Sequence, residues 1–153
     1  MTNATLCEFV GRRLLSAVGT FHFYAGRPSA NPLAVRFVFA EGSLSVTGAS
    51  DGWHVVVSDD QLDERDMQES GSIRLADLGA AHGVAMAIGQ SLRQVWLIST
   101  QTALADMIGL RLDFEGSTIR VLNWGDEILV DSLLPSDADS NDIIEQPISC
   151  APS

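Results

Sequence analysis

Side chains able to attack, ligate or shuttle protons are few in this 153-residue chain, and they are dispersed. None of His22, His54 and His82 has another histidine two to four positions away, the spacing from which one element grips a metal ion. Each reads as a surface or hydrogen-bonded structural residue, with His54 beside Trp53 at the head of a strand. Cys7 and Cys150 occupy terminal segments, poor places to hold a nucleophile rigidly, and the serines fall in turns or polar stretches. No nucleophile elbow is expected among them. All nine basic residues are arginine. Without lysine there is no Schiff-base amine, no lysine general base and no phosphate-loop lysine. These residues point away from an enzyme, and they imply no cofactor and no metal.

Carboxylates are the abundant group. Twenty acids against nine arginines give a formal charge of −11. Such a field repels nucleic-acid phosphates and anionic lipid and attracts basic proteins, although acidity also serves solubility alone. The densest acidic run contains Asp59, Asp60, Asp63, Glu64 and Asp66. A calcium loop would place oxygen ligands at alternate positions around a glycine, but no glycine follows until Gly71, and the spacing suits a helix better than a loop. The most individual segment is Asn123-Trp124-Gly125-Asp126-Glu127. Its Asn and Gly suit a turn or bulge with positive φ, with the indole packed beside it. An aromatic flanked by carboxylates can also anchor a cationic partner. Asp126 and Glu127 are neighbours on a strand, so they face opposite ways and form no acid–base pair. The candidate partner contacts are therefore Trp124, Asp126 and Glu127, with Asp59, Asp60, Asp63 and Glu64.

The elements that must position these residues read as mainly β, in the α+β class. Val35, Phe37 and Phe39 share one face at period two, Glu41-Gly42-Ser43 turns, and Leu44-Ser45-Val46 returns as a hairpin. Trp53–Val57 supplies a third strand. Residues 59–69 suit a short helix or an exposed loop, Ser72–Leu78 alternates, and Ala80–Ile88 suits a short helical turn packed on the sheet. Glu8–Tyr24 fits a short helix or an extended segment. The pattern then restarts. Ile88-Gly89-Gln90-Ser91-Leu92 echoes Val10-Gly11-Arg12-Arg13-Leu14, and Leu110-Arg111-Leu112-Asp113-Phe114 echoes Val35-Arg36-Phe37-Val38-Phe39. Leu44 and Val46 fall on Ile119 and Val121, and Ile128-Leu129-Val130 closes the unit as Val55-Val56-Val57 does. This order argues for two degenerate hairpin-containing units, about 9–60 and 87–133, sharing one core with one or two short helices. Residues 1–134 form a single domain on this reading. The acidic, breaker-rich segment 135–153 trails in solvent, although Ile143, Ile144 and Ile148 could dock.

No apolar run approaches the ~20 residues of a spanning helix, so the expectation is a cytoplasmic protein without a membrane partner. A bridge between Cys7 and Cys150 is geometrically open, since domain ends often lie close together; in a reducing cytoplasm two unrelated free thiols are expected.

The stretch Ile108–Ser117, continuing to Asn123–Glu127, resembles immunity-type proteins of bacterial polymorphic toxin systems and related uncharacterised families. The shared features are a Gly-Leu-x-Leu-x-Phe strand, a turn, and a strand ending in an Asn-x-Gly-Asp-Glu-like corner, here Gly109–Phe114 and Asn123–Glu127. The resemblance implies a non-enzymatic protein that binds and blocks a toxin, often a basic enzyme. Two other readings fit the same chain: a self-associating structural or assembly module, which could be a homodimer, and a small-molecule-binding β domain with its pocket between the units.

Overall fold

Regular apolar alternation becomes strand throughout. The computed structural model describes residues 1–100, 107–137 and 142–150. A short helix α1 (Asn3–Cys7) is capped at its start by Thr2, whose hydroxyl accepts the Thr5 N–H at 3.2 Å. The strands that follow are β1 (Leu14–Tyr24), β2 (Arg27–Pro28), β3 (Ala34–Phe39), β4 (Ser43–Gly48), β5 (Val55–Ser58), β6 (Arg65–Asp66) and β7 (Ser72–Asp77). After two 3-10 turns at Ala80–His82 and Ala85–Ala87 come β8 (Leu92–Thr100), β9 (Gly109–Phe114), β10 (Thr118–Trp124), β11 (Glu127–Asp131) and β12 (Ile143–Pro147).

The strands form two antiparallel sheets. The seven-stranded sheet has the order β5-β4-β3-β1-β7-β6, with β2 also on β1; the five-stranded sheet has the order β11-β10-β9-β8-β12. One order of elements thus occurs twice, and the match extends to single residues. Leu14 pairs with Phe39 and Leu92 with Phe114, and both ladders slip at a bulge immediately afterwards. Val46 faces Val57 as Val121 faces Val130. Beyond the last edge strand, Leu78 donates its N–H to Ala17 O at 2.8 Å and Ile148 donates to Val95 O at 2.9 Å. The repeat therefore runs past its sequence-derived limits, to Leu78 and Ile148.

The two units meet around Gly11 and Gly89. Gly11 N–H donates to Leu92 O and Gly89 N–H to Leu14 O; Leu92 N–H donates to Arg12 O and Leu14 N–H to Gln90 O. Both glycines hold positive φ, +91° and +88°, so the two chains turn alike at this pseudo-twofold junction. The inner faces of the two sheets enclose one apolar layer that includes Val35, Phe37 and Leu44 from one sheet and Leu110, Leu112 and Ile119 from the other.

Three expectations need correction. Residues 59–64 are not the helix that the spacing of their acids suggests but take the exposed-loop alternative. They form a strap that must cross from β5 at one edge of its sheet to β6 and β7 at the other, over the outer face. Ser45 beneath it is 1% exposed and donates its hydroxyl to Asp60 O. The C-terminal segment does not trail: β12 pairs with β8, and Ile143 and Ile148 are buried, so the docking alternative is what the structure shows. Residues 138–141 and 151–153 of that segment lie outside the described residues. Finally, Cys7 and Cys150 are not free thiols but form a disulfide.

That bridge has a structural counterpart. In the first unit the chain leaving Leu78 continues through residues 79–83 into Val84, which lies beside the 3-10 turn that precedes the second unit. In the second unit the chain leaving Ile148 reaches α1 through Cys150 and Cys7. The disulfide stands where the first unit has peptide, and it closes the two units into a ring.

Candidate functional site

Asp126 and Glu127 sit where the β10–β11 hairpin turns. Gly125 and Asp126 both take positive φ, +62° and +66°, the requirement of a two-residue type I′ turn. Asn123, expected in the turn, is instead a strand residue only 2% exposed. Its amide Nδ2 donates to His54 O at 3.1 Å, which ties the hairpin to the β4–β5 loop, while its Oδ1 has no partner among the described residues.

The β4–β5 loop, residues 49–54, is organised by one carboxylate. Asp51 Oδ1 accepts the backbone N–H groups of Trp53 at 2.8 Å and His54 at 3.0 Å, and its other oxygen meets His54 Nδ1. Donation from the His54 backbone, then from Trp53 and then from the imidazole, lowers the Asp51 pKa from 3.8 to about 2. Gly52 of this loop lies against the hairpin turn: a β-carbon there would sit 3.4 Å from Asp126 Oδ1. Trp53 beside it is 64% exposed.

The 29–33 loop completes the site from the opposite side. Asn31 Nδ2 donates to Glu127 Oε2 at 3.4 Å, and His82 Nε2 lies 3.2 Å from Ala30 O. Between this loop and β11 lies a cleft of about 370 Å³ lined by Asn31, Pro32, Gly48, Asn123, Asp126 and Glu127. A second cleft, of about 410 Å³, also includes Ala30 and Asn31 and extends to Val130, Asp131, Leu133 and Pro135. The shared residues make the two clefts one trough beside β11, with Asp126, Glu127 and Asp131 exposed along it.

The sequence-derived contacts divide between places. Asp126 and Glu127 line the trough. Asp59, Asp60, Asp63 and Glu64 belong to the strap, separated from the hairpin end of their sheet by β5, about 13 Å of extended chain. Within the strap, Glu64 Oε2 accepts the Leu75 N–H at 3.0 Å and Asp60 N–H donates to Ser58 Oγ at 3.2 Å, so part of this acidity fastens the strap. Trp124 is no exposed anchor. It packs against the Ile98, Ile108, Leu122 and Ile143 cluster on the outer face and donates Nε1–H to Asp137 at 3.1 Å. Trp53 is the exposed indole at this end instead: expected as the first residue of the third strand, it lies in the loop before β5, which spans Val55–Ser58. Asn31 and Asp131 went unnoticed in the sequence.

Gly48-Ala49-Ser50-Asp51-Gly52 does spell Gly-x-Ser-x-Gly. In hydrolases that spelling joins a strand to a helix. Here it joins antiparallel strands β4 and β5, and Ser50 is an exposed turn residue. Among the described residues, no group of three or more His, Cys, Asp or Glu side chains is arranged to hold a metal ion, and no helix is long and apolar enough to cross a membrane. No family model matches the chain, and neither a curated protein nor a solved structure matches it significantly.

Proposed function

We propose that the chain is a binding protein that holds a basic partner protein in the acidic trough beside β11. The observation that supports this reading is the convergence of Asp126 and Glu127, from the hairpin turn, on an open cleft of about 370 Å³ whose far wall is the 29–33 loop. Asp51 and the exposed Trp53 stand beside it, across Gly52. Carboxylates at a concave rim steer a cationic surface and make association salt-sensitive, and a neighbouring indole adds a face for guanidinium or ammonium. A net charge of −11 extends the same field over the molecule. The role is non-enzymatic, as in immunity-type proteins, and the Cys7–Cys150 bridge suits an oxidising compartment better than the cytoplasm.

The test is capture of partners from a lysate of the source organism on the immobilised oxidised protein, washed at low and at moderate salt, beside the double variant Asp126→Arg/Glu127→Arg. One stoichiometric basic protein, retained by wild type and weakened at least tenfold by the variant, is the expected result. A partner bound equally by both forms would remove the trough from the interface. Recovery of the bait alone, with candidate partners shown to be expressed, would favour self-association.

A further inference from the structure

The two units differ in how they treat their free sheet edges. On an edge strand, the direction of a residue's N–H and C=O is fixed by the face that its side chain takes. Val55 and Val57 turn their side chains into the core, so their backbone polar groups point away from β4. The chain itself supplies a partner to one group of each residue: Val55 N–H donates to Met107 O at 3.1 Å, and the Met1 ammonium donates to Val57 O at 3.1 Å. The edge of β5 is thus partly covered by other segments of the same chain.

The counterparts in β11 are Ile128 and Val130, each 4% exposed with side chains in the core. Their backbone groups must point outward in the same way, into the trough. Among the described residues, no other segment supplies a hydrogen bond to them. The 29–33 loop, equivalent in place to Met107, stands off by the width of the cleft and, among the described residues, hydrogen-bonds β11 only through Asn31 and Glu127.

We infer that the trough is a strand-addition site, in which an extended segment of the basic partner pairs with the free edge of β11, the edge whose β5 counterpart is hydrogen-bonded by the chain's own Met1 and Met107. The inference rests on the basic-partner reading and adds the mode of recognition. The edge offers about 16 Å of strand, Glu127–Asp131. Backbone pairing holds the segment. Asp126 and Glu127 select arginine or lysine at one end, and Leu133, 71% exposed, with Pro135 selects an apolar residue at the other. The three carboxylates along the trough also disfavour pairing of β11 with its own copy.

The experiment selects displayed random decapeptides on the oxidised protein at low salt, then follows amide exchange of the protein with and without a selected peptide. The expected peptides are rich in arginine or lysine and slow exchange at Ile128 and Val130 at least tenfold. Ala30→Trp, a substitution at an exposed position that fills the trough, should weaken them at least tenfold. Basic peptides that bind without protecting these amides would overturn strand addition and leave the charge-based reading standing. Enrichment of no peptide, or only of peptides without basic residues, would overturn both.

Discussion

Removing the Cys7–Cys150 bridge is expected to cost a large part of the stability of the fold. The bridge spans a sequence separation of 143 residues, and chain entropy alone assigns a closure of that length about 5 kcal/mol. Domains of this kind are commonly stable by only about 5–15 kcal/mol. The site gives the entropy full expression, because Leu6 on one flank is 1% exposed and Ile148 on the other 5%. The chain is buried on both sides of the bond. At roughly 2–4 °C per kcal/mol for a chain of this size, Cys7→Ser/Cys150→Ser should melt roughly 10–20 °C below the oxidised protein. Thermal and urea unfolding followed by far-UV circular dichroism, with and without reductant, measures this directly. If the bridge acts by closing the ring, a peptide link at the same place can replace it. Backbone cyclisation that joins residue 150 to residue 2 through a short Gly-Ser linker, with the 79–83 connection left intact, should recover most of the loss in the cysteine-free chain. A serine variant within about 1 kcal/mol of the oxidised protein would refute the ring-closure argument. So would a cyclised serine variant no more stable than the linear one.

Gly109→Ala should destabilise by at least about 3 kcal/mol in urea unfolding, because its β-carbon would lie 2.4 Å from Val121 O and 2.5 Å from Leu122 Cβ. Gly125→Ala meets nothing within 4 Å and has only its φ of +62° against it, so about 1 kcal/mol is expected; equal losses at the two sites would contradict the steric argument. Glu145 on β12 accepts from Arg120 Nε at 2.9 Å and Nη2 at 3.2 Å and from Arg111 Nη1 at 3.4 Å, so Glu145→Gln should cost about 1.5–3 kcal/mol. An unchanged midpoint would mean that β12 is held by its backbone ladder alone. The Asp51 pKa is depressed, so its stabilising effect on the 49–54 loop is complete above 3.8 and disappears as pH falls through about 2. The indole resonance of Trp53 should shift over that interval in wild type and stay still in Asp51→Asn; a wild-type resonance unmoved from pH 5 to pH 2 would exclude the carboxylate as organiser of the loop.

Local pattern was legible wherever one face of a strand is buried. Val35, Phe37 and Phe39 and their echoes Leu110, Leu112 and Phe114 alternate because one side of each strand meets the opposing sheet, and the register pairs them as that alternation requires. The strap at 59–64 was misread because charge spacing is a poor guide where the chain must simply cross a sheet; its constraint is topological and leaves no period in the sequence. Segment 143–148 was nearly missed for a related reason. Its isoleucines are few and lie between breakers, and their burial depends on a β8 edge that only the assembled sheet presents. At the candidate site, the hairpin turn was readable from Gly125-Asp126, but the opposing wall at Ala30 and Asn31 is distant in sequence and joins through one hydrogen bond. The disulfide was open geometrically and was rejected on the assumed compartment, which composition does not determine.

Where two units share one architecture, their differences carry more information than their similarities. Arg111 in the second unit is stacked at 4.4 Å over Trp96 and bound by Asp113 at 2.8 and 3.1 Å, which raises its pKa. Its register equivalent Arg36 has Val38 where Asp113 stands and Leu75 where Glu145 stands, and it keeps a bond to Ser43 with Nε unpartnered among the described residues. The charged network therefore belongs to the second unit, where it holds β9, β10 and β12 together on the outer face. In the first unit the strap covers that face instead. The sheet edges divide the other way: the first unit's edge is partly capped by Met1 and Met107, and the second unit's edge borders an acidic trough. A repeat serving stability alone would have no reason to reinforce one unit's outer face with part-buried ion pairs while leaving that unit's backbone edge open. Reinforcement beside an open edge is the arrangement expected where a strand must stay in place to receive a partner.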